Sequence, residues 1–229
     1  VNAFEARQAI RGQDVEFRVS GIPINQASHL HGQGYTDLNF VIPEVVRSLR
    51  VIEGVYDPRQ GDFAVAGSAE FELGVHEREH RLAYSVGSFG TQRVLGVFAP
   101  KGEADDTFGA AQFKTTDGYG PDVRGGVSGG AMAQYRLRLS RTSSLLLHGA
   151  AYAGRANSAG VVRRDDLERG IVDFYGAYAD PSARSQSTAA SRAQIGLTFE
   201  KKGASASRTR IGVYATTTSY RSRNNFTGY

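Results

Sequence analysis

The chain has 229 residues, a formal net charge of +4 and no cysteine. That length admits one or two domains with a sizeable core. The absence of cysteine excludes a disulfide framework and a cysteine-ligated zinc site. The charge comes from scattered arginines (Arg47, Arg50, Arg136, Arg138, Arg163 and Arg164) and not from a basic block, which argues against nucleic-acid binding.

Residues 1–7 are polar and charged, with no secretory leader visible. From Asp14 to Val19 strict alternation places Val15, Phe17 and Val19 on one face, which predicts a strand that Gly21 and Pro23 then break. Pro43 suits a helix start, because its missing N–H would be unsatisfied there, and Glu44 complements the positive helix end. Val45, Val46 and Leu49 share a helical face, so Pro43 to Leu49 reads as a two-turn helix. Strands are expected at Leu49 to Ile52 and at Ala69 to Val75.

From about residue 80 the pattern becomes long alternating segments, with strands expected near 80–89, 91–100, 107–117, 127–140, 144–155, 190–202 and 208–222. Ile195, Leu197 and Phe199 face one way, while Gln194, Thr198 and Glu200 face the other. Ala133, Tyr135, Leu137 and Leu139 oppose Gln134, Arg136, Arg138 and Ser140 in the same way. No apolar run approaches the roughly 18 residues of a transmembrane helix; the longest, Leu145 to Tyr152, is interrupted by His148 and Gly149. A mean hydropathy of -0.35 still permits a membrane barrel, whose strands meet lipid only at every second residue. The connections Lys101–Asp106, Arg141–Ser144 and Gly203–Ser207 are short, whereas Asp117–Gly126 and Arg155–Ser187 are long, as in outer-membrane barrels. A soluble antiparallel sandwich would alternate equally well.

Three blocks carry a family likeness: Ser20-Gly21-Ile22-Pro23-Ile24-Asn25, then Ile42-Pro43-Glu44-Val45-Val46-Arg47-Ser48-Leu49, then Val51-Ile52-Glu53-Gly54 followed by Gly61 and Ala66-Gly67-Ser68. In this order and spacing they resemble the plug domain of TonB-dependent outer-membrane receptors. The resemblance implies an α+β plug over residues 1–75, partial at its start. Antiparallel transmembrane β-strands over 76–229 would follow as the N-terminal part of the barrel, about 7 of an expected 22 strands. The chain is therefore expected to be an internal fragment of a longer receptor. The implied function is TonB-energised import of an extracellular solute across the outer membrane of a Gram-negative cell, with no enzymatic chemistry. Its partners would be a siderophore, cobalamin, carbohydrate or peptide, the outer-membrane lipid, and TonB acting through a segment absent from this chain. No cofactor and no nucleic acid are implied. Two other readings stay open: a non-transporting surface adhesion or binding protein with a receptor-like barrel, and a soluble β-sandwich lectin.

The densest polar cluster is Ser28 to Asp37, between the Pro23 strand end and Pro43. In the family the corresponding loop rises to the top of the plug and faces the external cavity. Ser28, His29, His31, Gln33, Tyr35 and Asp37 are accordingly expected to contact solute; the competing expectation is a loop packed on the barrel wall. Gly32 and Gly34 permit tight turns. His29 and His31 with Asp37 fall short of the three or four certain ligands a metal needs, so no metal site is expected. His76 and His80 read as a hydrated linker, His148 as a lumen-facing residue, and Arg163–Arg169 as a solvated loop face, with a short ordered turn or ligand contact as the alternative. No catalytic arrangement is read. Gly125–Gly130 is glycine-rich but precedes a strand, which is the wrong context for phosphate cradling.

Overall fold

The computed structural model describes residues 9–10, 13–29, 32–77, 79–119, 124–205 and 207–225. Two sheets are formed among them. The first comprises β1 (Ala9–Ile10), β2 (Gln13–Val19), β3 (Ile22–Pro23), β4 (Val46–Glu53) and β5 (Gly67–Leu73), in the order β1-β2-β5-β4 with β3 on β2. β2 runs parallel to β5, and the other pairings are antiparallel. The β2–β3 turn is the pair Ser20-Gly21, both at positive φ (51° and 81°). Positive φ at both central residues is the geometry of the tight hairpin turn that matches strand twist.

The helix expected from Pro43 to Leu49 is only a single 3-10 turn, Pro43–Val45, and Val46 onward is strand. Two turns of helix are too short to stand on their own, and Val45 and Val46 are β-branched. Pairing Val46–Glu53 along β5 therefore wins, with one register shift between Val46 and Ser48. Ile42 and Val45 still point into the core, both fully buried.

The second sheet is a single meander: β6 (His80–Gly87), β7 (Thr91–Phe98), β8 (Phe108–Thr116), β9 (Gly126–Arg138), β10 (Ser143–Asn157), β11 (Ser187–Lys202) and β12 (Arg208–Arg223). Each strand pairs antiparallel with the next, so spatial order equals chain order. One end of the sheet carries the connections 99–107, 139–142 and 203–207. The other carries the tight turn 88–90, the loop 117–125 and the long connection 158–186. The long connection holds α1 (Arg164–Glu168) and α2 (Pro181–Arg184), so the stretch read as a solvated loop face contains one turn of helix.

One core joins the sheets. Val19, Ile24, Phe40, Ile42, Val45 and Leu73 come from the first unit; Leu95, Val97, Phe108, Ala110, Met132, Ala150 and Tyr152 come from the inner face of the second. The outer face of the second sheet is apolar yet bare: Leu82 is 82% exposed, Val86 73%, Val213 64% and Ile195 58%. Leu197 and Tyr135 are also exposed, opposite buried Gln194, Glu200 and Gln134, so the side chains alternate as read from the sequence. A sandwich would cover such a face with a second sheet joined by Greek-key connections. Among the described residues the sequential meander has neither.

Candidate solute-contact loop and its anchorage

The loop leaves β3 at Ile24 and returns at Pro43. Asn25 fixes its base: its Oδ1 accepts from Phe17 N–H at 2.7 Å, while Nδ2 donates to Val15 O at 2.9 Å and Gly34 O at 3.2 Å. Gln26 N–H donates to Tyr35 O (2.8 Å) and Gly34 N–H to Gln26 O (2.9 Å), which closes a neck beyond which the loop projects. Gly34 is buried at φ +84°, a conformation that a side chain would strain.

Above the neck, the His29 ring stacks on Tyr35 with centroids 4.6 Å apart, and meets Tyr220 of β12 at 4.8 Å. Tyr220 lies near the end of β12 that borders the long connections, and so places the loop toward that end of the sheet. Of the six residues read as solute contacts, Ser28 and Gln33 are exposed, and His29 and Tyr35 are half-buried. Asp37 is buried and its carboxylate accepts from Asn39 N–H (2.8 Å) and Asn39 Nδ2 (3.0 Å). His31 lies outside the described residues. The structure thus brings Ser28, His29, Gln33 and Tyr35 together on one loop and turns Asp37 inward.

Polar side chains of the second sheet's inner face hold this unit. Arg192, 3% exposed, donates to Ile24 O at 3.3 Å and to Gln194 Oε1 at 2.9 Å, with its guanidinium 4.9 Å from the centre of the Phe40 ring. Asp37 is its electrostatic partner. Gln194 hydrogen-bonds His148 Nε2 at 2.8 Å. The His148 side chain therefore faces inward, as read from the sequence. Ser20 Oγ donates to Gln134 Oε1, and Gln134 Nε2 to Asp106 O at 3.2 Å. Ile42 N–H is directed at Met132 Sδ, 3.4 Å away. Arg93 forms a two-pronged pair with Glu44 at 2.6 and 2.8 Å and also donates to Gln112 Oε1. The Arg93 hydrogen bonds hold the Glu44 carboxyl below its ordinary value. At the short-connection end Glu200 accepts from Arg136 (3.2 Å), Arg208 (3.0 Å) and Arg210 (2.8 Å).

Sequence reading missed Arg93 and Arg192. The available signal was a charged residue on the polar side of an apolar alternation. Reading also passed over Gly126-Val127-Ser128-Gly129-Gly130, which has the Gly-x-Ser-x-Gly spacing of a hydrolase elbow. These residues are extended within β9, so no strand-to-helix elbow forms. Among the described residues no three His, Asp or Glu side chains converge as a metal site.

Between residues 38–43 and the inner wall is a cavity of about 500 Å³, lined by Leu38, Val41, Arg93, Lys114 and Tyr152. It reaches Thr116, Gly126 and Ala156, where the strands meet the long connections. A ligand here would meet one apolar and one polar wall, a usual composition for a small-molecule site.

A small mixed sheet seated on the polar inner face of an antiparallel meander, whose other face is apolar, is the fold of TonB-dependent outer-membrane receptors. Among solved structures, the chain is similar to the ferric citrate transporter FecA in its unliganded form (TM-score 0.64, 14% identity, 92% of this chain and 32% of that one). It is likewise similar to the pyoverdine receptor FpvA of Pseudomonas aeruginosa bound to pyoverdine (TM-score 0.65, 14% identity, 96% and 33%) and to FpvAI in complex with pyocin S2 (TM-score 0.62, 13% identity, 94% and 29%). The chain spans about a third of the length of these structures. No protein-family model and no curated protein sequence matches it.

Proposed function

We propose that residues 1–75 are a partial plug and residues 76–229 the N-terminal part of the barrel of a TonB-dependent receptor in the outer membrane of a Gram-negative cell. The seven strands of the meander would be part of a wall of about 22. The receptor binds a solute outside and admits it when TonB, driven from the inner membrane, pulls on the plug. The observation behind this reading is the split of the meander into an apolar exposed face and an inner face that hydrogen-bonds the turns and loop of the first unit through Arg93, Gln134 and Arg192. A lumen wide enough for a nutrient has to be blocked, and a folded domain anchored by a few polar contacts blocks it reversibly.

The long-connection end is the extracellular end, since outer-membrane barrels keep their short turns on the periplasmic side. Ser28, His29, Gln33 and Tyr35 then form part of the floor of the external cavity, and Tyr35 with His29 offers a flat amphipathic surface to solute. Asp37 supports the floor from below through Asn39 and Arg192. Ferric citrate and pyoverdine, named for the structural neighbours, make a small iron chelate the first solute to test ahead of cobalamin, carbohydrate or peptide.

The test is uptake of labelled chelate by cells carrying the intact receptor, with and without a functional TonB. Uptake that vanishes without TonB while surface binding persists is expected. Binding with no uptake in either strain would favour the adhesin reading. Tyr35→Ala should weaken binding without lowering the amount of assembled barrel; unchanged affinity would remove the loop from the site.

A further inference from the structure

The outward positions of β6 to β12 are almost free of charge. Register places Leu145 to Ala153 of β10, Ala189 to Phe199 of β11 and Thr209 to Ser219 of β12 on this face at alternate residues, and none of these outward residues is ionisable. Four charged residues do face outward, and their positions are uneven. Lys201 stands at the short-connection end, whereas Arg155, which also borders the mouth of the 500 Å³ cavity, stands with Arg221 and Arg223 at the long-connection end.

Arg155 and Arg221 flank Ala189 on one rung of the ladder, so their Cα atoms lie two strand spacings apart, about 10 Å. Arg223 is two residues further along β12, about 7 Å beyond Arg221. All three are exposed, and among the described residues none has an ion pair or hydrogen bond from its side chain. In the long connection Asp166 pairs with Arg163, Glu168 pairs with Arg164, and Asp180 accepts from Ser182 N–H. From Lys201 to Ala189 the strand covers about 40 Å, which at a tilt of about 45° is a height of about 28 Å. That matches the roughly 25 Å apolar band of a barrel wall, with the arginine cluster at its outer border.

We infer that Arg155, Arg221 and Arg223 form a docking site for the phosphorylated headgroup of an outer-leaflet lipid. The inference rests on the outer-membrane reading above. Guanidinium groups hold phosphate oxygens in two-pronged pairs, and their long stems reach from an apolar wall to the headgroup level. The uncharged strip beneath, Ala189 to Phe199 on β11 with Ile211 to Thr217 on β12, receives the acyl chains of the same lipid. Three arginines spread over about 12 Å suit a headgroup with more than one phosphate, and a single interfacial anchor would not need them.

The test is native mass spectrometry of the intact receptor in neutral detergent, titrated with lipid A bearing both phosphates. Each arginine near an anionic headgroup contributes about fivefold in affinity, so the Arg155→Gln, Arg221→Gln, Arg223→Gln variant should bind on the order of a hundredfold more weakly. Lys201→Gln, at the other border, should bind as the parent does. Equal binding by the triple variant overturns the proposal, as does equal binding of dephosphorylated lipid. Competition by inorganic phosphate alone at the same concentration would make the site one for a free anion and also overturn it. Heat-modifiable mobility is recorded for every variant, and Arg223→Gln alone, about fivefold weaker, serves if the triple variant does not assemble. A parent receptor that fails to insert into vesicles at all refutes the outer-membrane reading itself; a parent that inserts but ignores the lipid refutes only the docking site.

Discussion

Replacing Ile195 with arginine tests the register of the wall. Ile195 is 58% exposed on the outward face of β11, midway between Lys201 and Ala189 at the two borders of the uncharged strip. On the proposed outer-membrane reading it stands near the bilayer midplane, where an arginine on the lipid face costs about 2–4 kcal/mol. The same substitution at Ala189, beside Arg155 and Arg221, falls at the interface and should cost about 0–1 kcal/mol. Thr198→Arg provides the inward control. Thr198 is half-buried and lines an opening of about 370 Å³ with Arg18, Arg50, Arg59, Arg210, Asp57 and Glu70, so an added guanidinium there enters a polar, charged space and not hydrocarbon. Its cost should stay within about 0.5 kcal/mol. The assay is urea titration of receptor folded into phospholipid vesicles, read by heat-modifiable mobility. The expected order of cost is Ile195→Arg, then Ala189→Arg, with Thr198→Arg smallest. Equal costs at 195 and 198, or the reverse order, would mean the register is displaced by one residue, which exchanges every side chain between lipid and lumen.

Gly196 meets β3 at close range: a Cβ there would lie 2.6 Å from Ile22 Cδ1. Gly196→Val should therefore expose the Ser20-Gly21 turn to protease and cost about 1–3 kcal/mol, and adding Ile22→Ala should restore protection. Glu44 is held below its ordinary 4.5 by Arg93, so the stabilisation from this pair is fully present above pH 4.5 and lost as pH falls through the lower folded value. Protection of the Pro43 segment against protease should persist at pH 5 and decline only as the pH falls below 4.5, and Glu44→Gln should remove the contribution of this pair to that decline. Asp37→Asn should weaken the loop's support while leaving Ser28 and Gln33 in place. Solute affinity should drop less than in Tyr35→Ala, as measured by equilibrium binding to purified receptor.

Much of the wall was legible because its signal is periodic. In β11 the alternation of Ile195, Leu197 and Phe199 with Gln194, Thr198 and Glu200 fixes both the element and its faces. The Pro43 segment was misread because Val45, Val46 and Leu49 satisfy a helical spacing as well as a strand, and only the presence of β5 as a pairing partner decides between them. The loop at Ser28–Asp37 stood out by composition, but composition does not reveal which side chains turn inward. Asp37 is separated from Gln33 by the Gln26–Tyr35 neck, a pairing between residues with no local pattern. Arg93 and Arg192 were invisible as anchors for the same reason. Their partners, Glu44 and the Ile24 carbonyl, lie far away in the chain, and only the seating of one sheet on the other brings them together.

The absence of cysteine from the sequence allows a direct test of where the loop stands. Single cysteines at Gln33, in the exposed loop, and at Glu103, in the short connection after β7, would be placed in the intact receptor and treated on whole cells with a membrane-impermeant maleimide. The Gln33→Cys receptor should label on intact cells and be protected by bound solute, while Glu103→Cys should label only after the outer membrane is permeabilised. Labelling of Glu103→Cys on intact cells, with Gln33→Cys silent, would contradict the receptor account.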